Sequence, residues 1–315
     1  MTGGSGFIGS NIVEGLNKLG IDEIVIVDNL KTSEKFKNLN GLSFADFVDK
    51  TELWKFLSGI SPNSIEVIFH EGACTDTMEY NGRYMMLNNY EYSKNLLSFS
   101  IQNHIRLIYA SSAAVYGAGK YGFKEDENSE YSLNIYGFSK LMFDKYVKRH
   151  LNSSEVHSQI VGLRYFNIYG PKEYHKGKMA SIVFQLYKEA KENNKMVLFE
   201  GSEDYKRDFT HVKDVVNVNL FFFSHPELSG IFNCGTGRAE SFLKVAELIK
   251  ENYKDVPIEF IPFPPELKGK YQYFTKADLT KLRRAGYTSP FTTIEEGIKS
   301  YIKSLNSSCE GLFDI

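Results

Sequence analysis

The run Thr2-Gly3-Gly4-Ser5-Gly6-Phe7-Ile8-Gly9 restricts this chain more than any other feature. Its glycines, spaced G-x-x-G-x-x-G, allow a turn whose backbone, free of Cβ atoms, can come close to a diphosphate. The helical pattern that follows, roughly Gly6–Leu19, would set free N–H groups and a positive dipole end at the same point. Nineteen residues beyond Gly9, Asp28 closes an apolar run, where a carboxylate can bind ribose hydroxyls. A glycine-rich turn alone says little. Loop, helix and acid together predict a dinucleotide site with Gly3, Gly6 and Gly9 at the phosphates. Which dinucleotide stays open on the residues alone. Asp28 favours NAD because it would repel a 2′-phosphate, whereas Asn29, Lys31, Lys35 and Lys50 could receive one.

Apolar runs at Glu23–Asp28, Glu66–His70, Ile105–Ser111 and Gln159–Tyr165 read as buried strands, separated by helical patterns at Asn89–Asn103 and Asn134–Leu151. Such alternation predicts an α/β fold with a doubly wound parallel sheet. Only Met1 and Thr2 precede the glycine loop, so the strand that should feed it, expected at the sheet centre, reads as truncated. After Gly170-Pro171 the alternation weakens. Lysines, glutamates and aromatics dominate Lys172–Lys206, prolines cluster at Pro257–Pro265, and Phe209–Cys234 reads as a return to the sheet. The expected division is a cofactor domain of residues 1–169 with about 209–238, and a smaller α/β substrate domain of about 170–208 with 239–315.

A net charge of −2 argues against a general nucleic-acid or membrane-surface role. The densest apolar patch, Val218–Phe223, is far too short to span a bilayer. With the glycine loop at Gly3, no leader peptide is expected and the expected location is the cytoplasm. Three separated cysteines, Cys74, Cys234 and Cys309, fit a reducing compartment better than a disulfide framework. His70, with no second His or Cys at metal spacing, reads as a core or loop histidine, so no metal is expected.

The chemistry is carried by Tyr136 and Lys140, a Y-x-x-x-K pair that shares one helix face. A phenol ionises near pH ~10, too high for a base at neutral pH. A neighbouring ammonium and a cationic nicotinamide ring would both lower that value. Ser112, in Ser111-Ser112-Ala113-Ala114-Val115-Tyr116-Gly117 at a strand end, is placed to bind the same substrate hydroxyl. In isolation such a pair is usually an amphipathic helix with a solvated lysine. Downstream of this loop it predicts an oxidation–reduction site.

The set TGGSGFIG, SSAAVYG, YGFSK and RYFNIYGP resembles the extended short-chain dehydrogenase/reductase family of Rossmann-fold enzymes that modify nucleotide sugars. HEGACT, YMMLNN, HKGKMAS, FEGSEDYKRDF, GTGRAESF and KGKYQYFTKADL resemble, more narrowly, its branch that epimerises ADP-heptose at C6 for the lipopolysaccharide inner core. This implies bound NADP rather than NAD, contacted by Phe7, Ile8, Asp28, Asn29, Lys35, Lys50, Glu71, Gly72, Ala73, Cys74, Thr75, Asn88, Lys140, Ile168 and Lys176. The ADP-sugar would be held by Ser112, Asn167, Lys178, Gln185, Phe199, Glu200, Gly201, Ser202, Arg207 and Tyr271. Lys178 and Gln185 depart from the serine and histidine of that branch. Lys176, on spacing alone an exposed loop lysine, becomes by resemblance a second acid–base group beside Tyr136. Arg207 suits a diphosphate, or a pairing with Asp204 or Asp208.

Inversion with one hydride carrier requires the keto intermediate to turn its other face, which one exocyclic bond rotation achieves at C6. A UDP-hexose 4-epimerase and a non-catalytic dinucleotide-binding sensor are the competing expectations. A dehydratase is disfavoured because Ala113 and Ala114 stand where an acidic pair is needed. The resemblance also implies a homo-oligomer, up to a pentamer, packed through Asn89–Asn103 and Asn134–Leu151.

Overall fold

Strands that are apolar throughout belong inside a parallel sheet covered on both faces, and the chain builds one. The computed structural model describes residues 1–31, 33–153, 157–265 and 272–310; the expected substrate contact Tyr271 lies outside the described residues. In chain order come α1 (Phe7–Lys18), β1 (Val25–Asp28), β2 (Asp46–Asp49), α2 (Leu53–Ser58) and β3 (Val67–His70). They are followed by α3 (Gly82–Met85), a π-helical turn at Met86–Glu91, α4 (Tyr92–Gln102), β4 (Arg106–Ser112), α5 (Ile135–Leu151) and β5 (Ile160–Tyr165). Next are β6 (Ile168–Tyr169), α6 (Ile182–Glu192), β7 (Met196–Phe199), β8 (Lys206–Arg207), β9 (Thr210–His211), α7 (Val212–Ser224) and β10 (Gly230–Cys234). The last are β11 (Glu240–Ser241), α8 (Phe242–Lys250), β12 (Ile258–Ile261), α9 (Thr280–Arg284) and α10 (Ile294–Glu310).

The central sheet runs β2-β1, then Thr2, then β3-β4-β5-β10, parallel throughout. Met1 and Thr2 occupy the place of a strand between β1 and β3. Thr2 N donates to Phe69 O at 2.9 Å, Val27 N to Met1 O at 2.8 Å, and Glu71 N to Thr2 O at 3.0 Å. On one face α1 and α7 bury Ile12, Val13, Leu16, Val215, Val218 and Phe222 against Ile26, Ile108, Leu163 and Phe232. On the other, α4 and α5 bury Leu97, Phe143 and Val147 against Leu107, Tyr109 and Ile160. The fold is thus the doubly wound α/β arrangement. α7 packs on this sheet and β10 joins it by pairing with β5.

A second apolar cluster joins α6, β7, α8 and α10 through Val183, Leu186, Leu198, Val245, Ile249, Ile298 and Ile302. β7 pairs in parallel with β12. Among the described residues no helix is long and apolar enough to cross a membrane.

A buried ionic network, absent from the sequence reading, ties α5 to the sheet. Arg164 of β5, fully buried, donates from Nε to Asp144 Oδ2 at 2.8 Å, from Nη1 to Tyr116 Oη at 2.9 Å and from Nη2 to Glu130 Oε1 at 2.5 Å. Asp144 also accepts from Tyr109 Oη at 3.0 Å and from Ser111 Oγ at 2.9 Å.

Candidate active site

The glycine turn forms because Gly3 takes a left-handed φ of +70° and the chain then passes back over itself. Gly6 N donates to Gly3 O at 3.0 Å, and a Cβ built on Gly9 would stand 2.2 Å from that same oxygen. A Cβ on Gly3 would lie 2.5 Å from Gly72 N. No side chain caps α1 at Gly6, so the first N–H groups of the helix open on the cavity beside them. Gly9→Ala is therefore expected to cost about 1–3 kcal/mol of stability, measured as the shift of the urea unfolding midpoint.

The cavity has a volume of ≈ 390 Å³, in the range of small-molecule sites. It is lined by Gly3, Gly6, Phe7, Ile8, Gly9, Asp28, Asn29, Lys35, Lys50, Glu71, Gly72, Ala73, Cys74, Thr75, Asn88 and Lys176. All were expected from the sequence. Thr2, Val27, Asp76, Tyr84, Tyr92, His175 and Met179 also line it and were not. A glycine cradle, uncapped helix donors and a strand-end acid fit a dinucleotide. Asp28 accepts from Ser5 N at 3.0 Å and pairs with Lys35 Nζ at 2.5 Å. Lys50 Nζ donates to Asn88 Oδ1 at 2.8 Å.

Residues 171–179 close one side. Asn38, buried, donates from Nδ2 to Ser5 O at 3.0 Å and to Lys172 O at 3.2 Å, and its Nδ2 lies 3.2 Å from His175 Nδ1. Asn11 Nδ2 donates to Pro171 O at 3.0 Å. Lys176 thereby comes over the Phe7 ring, Nζ at 5.4 Å from the centroid, rather than out into solvent. Burial holds its ammonium below the usual lysine range, and Glu173 works against that shift.

Behind this cavity stand Ser112, Tyr136 and Lys140. Asn134 caps α5 by accepting from Gly137 N at 2.8 Å, which fixes the turn carrying Tyr136. Tyr136 lies against Ser112 and near Cys74 and Glu71. Ser112 Oγ accepts from Ala114 N at 3.2 Å. The Lys140 ammonium donates to Ala110 O at 2.8 Å, and burial raises the phenol of Tyr136 while Ser112 opposes the rise. The Lys140 ammonium thus meets a backbone carbonyl of β4. Burial brings Lys140 itself down to about 8, against the pull of Glu71 and Asp144.

The residues expected at the sugar are less concentrated. Asn167, at φ +36°, donates from Nδ2 to Thr275 Oγ1 at 2.9 Å, and Ile168 follows it in β6. Phe199, Glu200, Gly201 and Ser202 form the end of β7 and the turn beyond it, leading to Arg207 in β8. None of these lines the glycine-loop cavity. Arg207 is buried with its guanidinium 5.6 Å from the Phe242 centroid. The alternative pairing with Asp208 is not formed, because that carboxylate accepts from Thr236 N, Gly237 N and Ala277 N at 2.7, 2.9 and 2.9 Å. Gln185 turns back on its own loop, Nε2 donating to Ala180 O at 2.6 Å and to Lys178 O at 3.3 Å. His70 is a core histidine, with Nδ1 2.6 Å from Thr2 Oγ1 and Nε2 2.8 Å from Ser93 Oγ.

The family model described as NAD dependent epimerase/dehydratase family matches residues 1–235. The chain is 56% identical over 310 residues to ADP-L-glycero-D-manno-heptose-6-epimerase of Brachyspira hyodysenteriae, covering 98% of each. The crystal structure of ADP-L-glycero-D-manno-heptose-6-epimerase from Helicobacter pylori superposes with a TM-score of 0.86 at 31% identity, over 98% of this chain and 95% of that one. UDP-glucose 4-epimerase of Thermotoga maritima, solved with UDP-glucose, gives 0.82 at 26% identity over 98% of both.

Proposed function

Because the chain belongs to the NAD dependent epimerase/dehydratase family, we propose that it interconverts ADP-D-glycero-D-manno-heptose and ADP-L-glycero-D-manno-heptose at C6. The observation that carries this reading is the convergence of two proton-bearing groups, from separate parts of the chain, on one glycine-floored cavity. Tyr136 stands with Ser112 beside the cavity-lining Glu71 and Cys74, and Lys176 stands over Phe7. We assign catalysis to Tyr136, Lys176, Ser112 and Lys140. The sheet residues 1–169 with about 209–238 form the cofactor domain, and about 170–208 with 239–315 the sugar domain.

Gly3, Gly6 and Gly9, with Asp28 and Lys35, would hold a nicotinamide nucleotide, which when bound would supply reversible hydride transfer at C6. The positive ring of the oxidised nucleotide would favour the phenolate of Tyr136, which would then take the proton of the C6 hydroxyl, with Ser112 fixing the oxygen. After rotation about the exocyclic bond, Lys176 would give its proton to the oxygen on the other face; Tyr136 then releases to solvent the proton it took and Lys176 regains one, which resets both groups. Lys140 holds the end of β4 in place through Ala110 O. NADP is favoured over NAD because Lys35 neutralises Asp28 and Lys50 lines the same end of the cavity, which removes the repulsion of a 2′-phosphate. Arg207 and Phe199–Ser202 receive the ADP-sugar. Exposed Tyr84, Leu87 and Phe138 along α3 to α5 support self-association through this helical face, in a cytoplasmic enzyme.

The test is incubation with ADP-D-glycero-D-manno-heptose, without added nucleotide, and separation of the two epimers. Conversion of UDP-galactose but not of ADP-heptose would favour the 4-epimerase reading. Lys176→Met is expected to lose about 10²–10⁴-fold in rate while still binding ADP-heptose by calorimetric titration. Full activity in that variant would remove Lys176 from the mechanism.

A further inference from the structure

Under the cavity floor one carboxyl is built in more firmly than a contact residue needs. Glu71 follows β3 and lines the cavity beside Gly3 and Gly72. Tyr165 Oη donates to its Oε1 at 2.9 Å, and Asn219 Nδ2 donates to that phenol oxygen at 3.0 Å. Its Oε2 is buried with no hydrogen-bond partner. A buried carboxyl held on one oxygen and bare on the other is costly unless a charge compensates it. The titratable groups that face it are Lys140 from α5, Tyr136 from the same helix, Tyr165 from β5 and Cys234 from β10. Of these only Lys140 is cationic, and its Nζ is held by Ala110 O at 2.8 Å.

Resting on the reading of this cavity as a nicotinamide-nucleotide seat, the geometry points to Glu71 as a charge-tuning residue. Its carboxylate favours the oxidised, cationic nicotinamide over the reduced, neutral one. The reaction begins by removing hydride from an alcohol, so this bias keeps the resting protein loaded with the oxidised form. Tyr165 and Asn219 serve to aim the carboxyl. Burial pushes Glu71 up to about 7, against the Tyr165 hydrogen bond and Lys140. The sign follows. Below that pH the carboxyl is protonated and neutral, and the bias is absent. Above it the carboxylate is ionised and the bias is present. By linkage, the cationic ring lowers the acid's pKa by the same free energy with which the carboxylate tightens the ring.

The experiment is equilibrium titration of the nucleotide-free full chain with NADP⁺ and with NADPH, or with NAD⁺ and NADH if that pair binds more tightly. Groups at the adenosine half act alike on both forms and cancel in the ratio of the two dissociation constants. In the wild type, the preference for the oxidised form should rise about fivefold between pH ~6 and ~8 for a coupling that lowers the acid by about one pKa unit. Glu71→Gln should keep the low-pH ratio at both values. A wild-type ratio that does not change with pH overturns the inference, and this needs no variant to fold. A Glu71→Gln protein with the wild-type slope overturns it as well. Failure of either nucleotide to bind the wild type overturns the cavity reading itself, an outcome distinct from the other two.

Discussion

Tyr136→Phe lowers the rate of epimerisation by about 10²–10⁴-fold and leaves ADP-heptose binding in place. The substitution removes one oxygen and keeps the ring in its pocket on α5, whose N-terminal turn is fixed by Asn134 rather than by the phenol. The lost group is the one that lies against Ser112 and faces Glu71 and Cys74 at the cavity. A time course of epimer separation gives the rate, and titration calorimetry gives the binding. A variant that epimerises at the wild-type rate would take the phenol out of the mechanism, whereas one that no longer binds the sugar would recast it as a binding residue.

Arg164→Met is expected to destabilise the fold by about 3–5 kcal/mol, read from the urea unfolding midpoint. Arg164 is wholly buried between Asp144 at 2.8 Å and Glu130 at 2.5 Å. Methionine fills much of the volume but leaves Asp144 without its cation, while Glu130 keeps only Lys148 at 2.7 Å. Breaking one partner of such a set costs more than the set contributes, because the remaining charge cannot reach water. Activity should fall with stability, since Asp144 also holds Ser111, the neighbour of Ser112. An unchanged midpoint would mean that this network is dispensable.

Much of the cofactor half was legible because its signals are local. The glycine spacing, the 3.6-residue period of α1 and the apolar runs of β3, β4 and β5 each sit within a short window of chain, and the structure places them within a few residues of expectation. The strand Asp46–Asp49 escaped notice because it is an outer strand in which only Val48 is buried, so its apolar signal is one residue deep. Arg164 was read as part of a buried strand, but nothing in its neighbourhood revealed that Asp144 and Glu130 would meet it. The clue available was the placement of Asp144 one turn beyond Lys140, on the same helix face. The partner of Lys140 was also beyond sequence reasoning, since a backbone carbonyl carries no signature in the residue that bears it. The sugar-side residues Asn167, Phe199–Ser202 and Arg207 come from separate short strands and turns, so only resemblance could group them.

Asn38 joins Ser5 of the glycine turn to Lys172 and His175, next to Lys176. The glycine turn and the loop that carries Lys176 therefore share a single mount. One buried amide thereby sets the spacing between the turn and that loop.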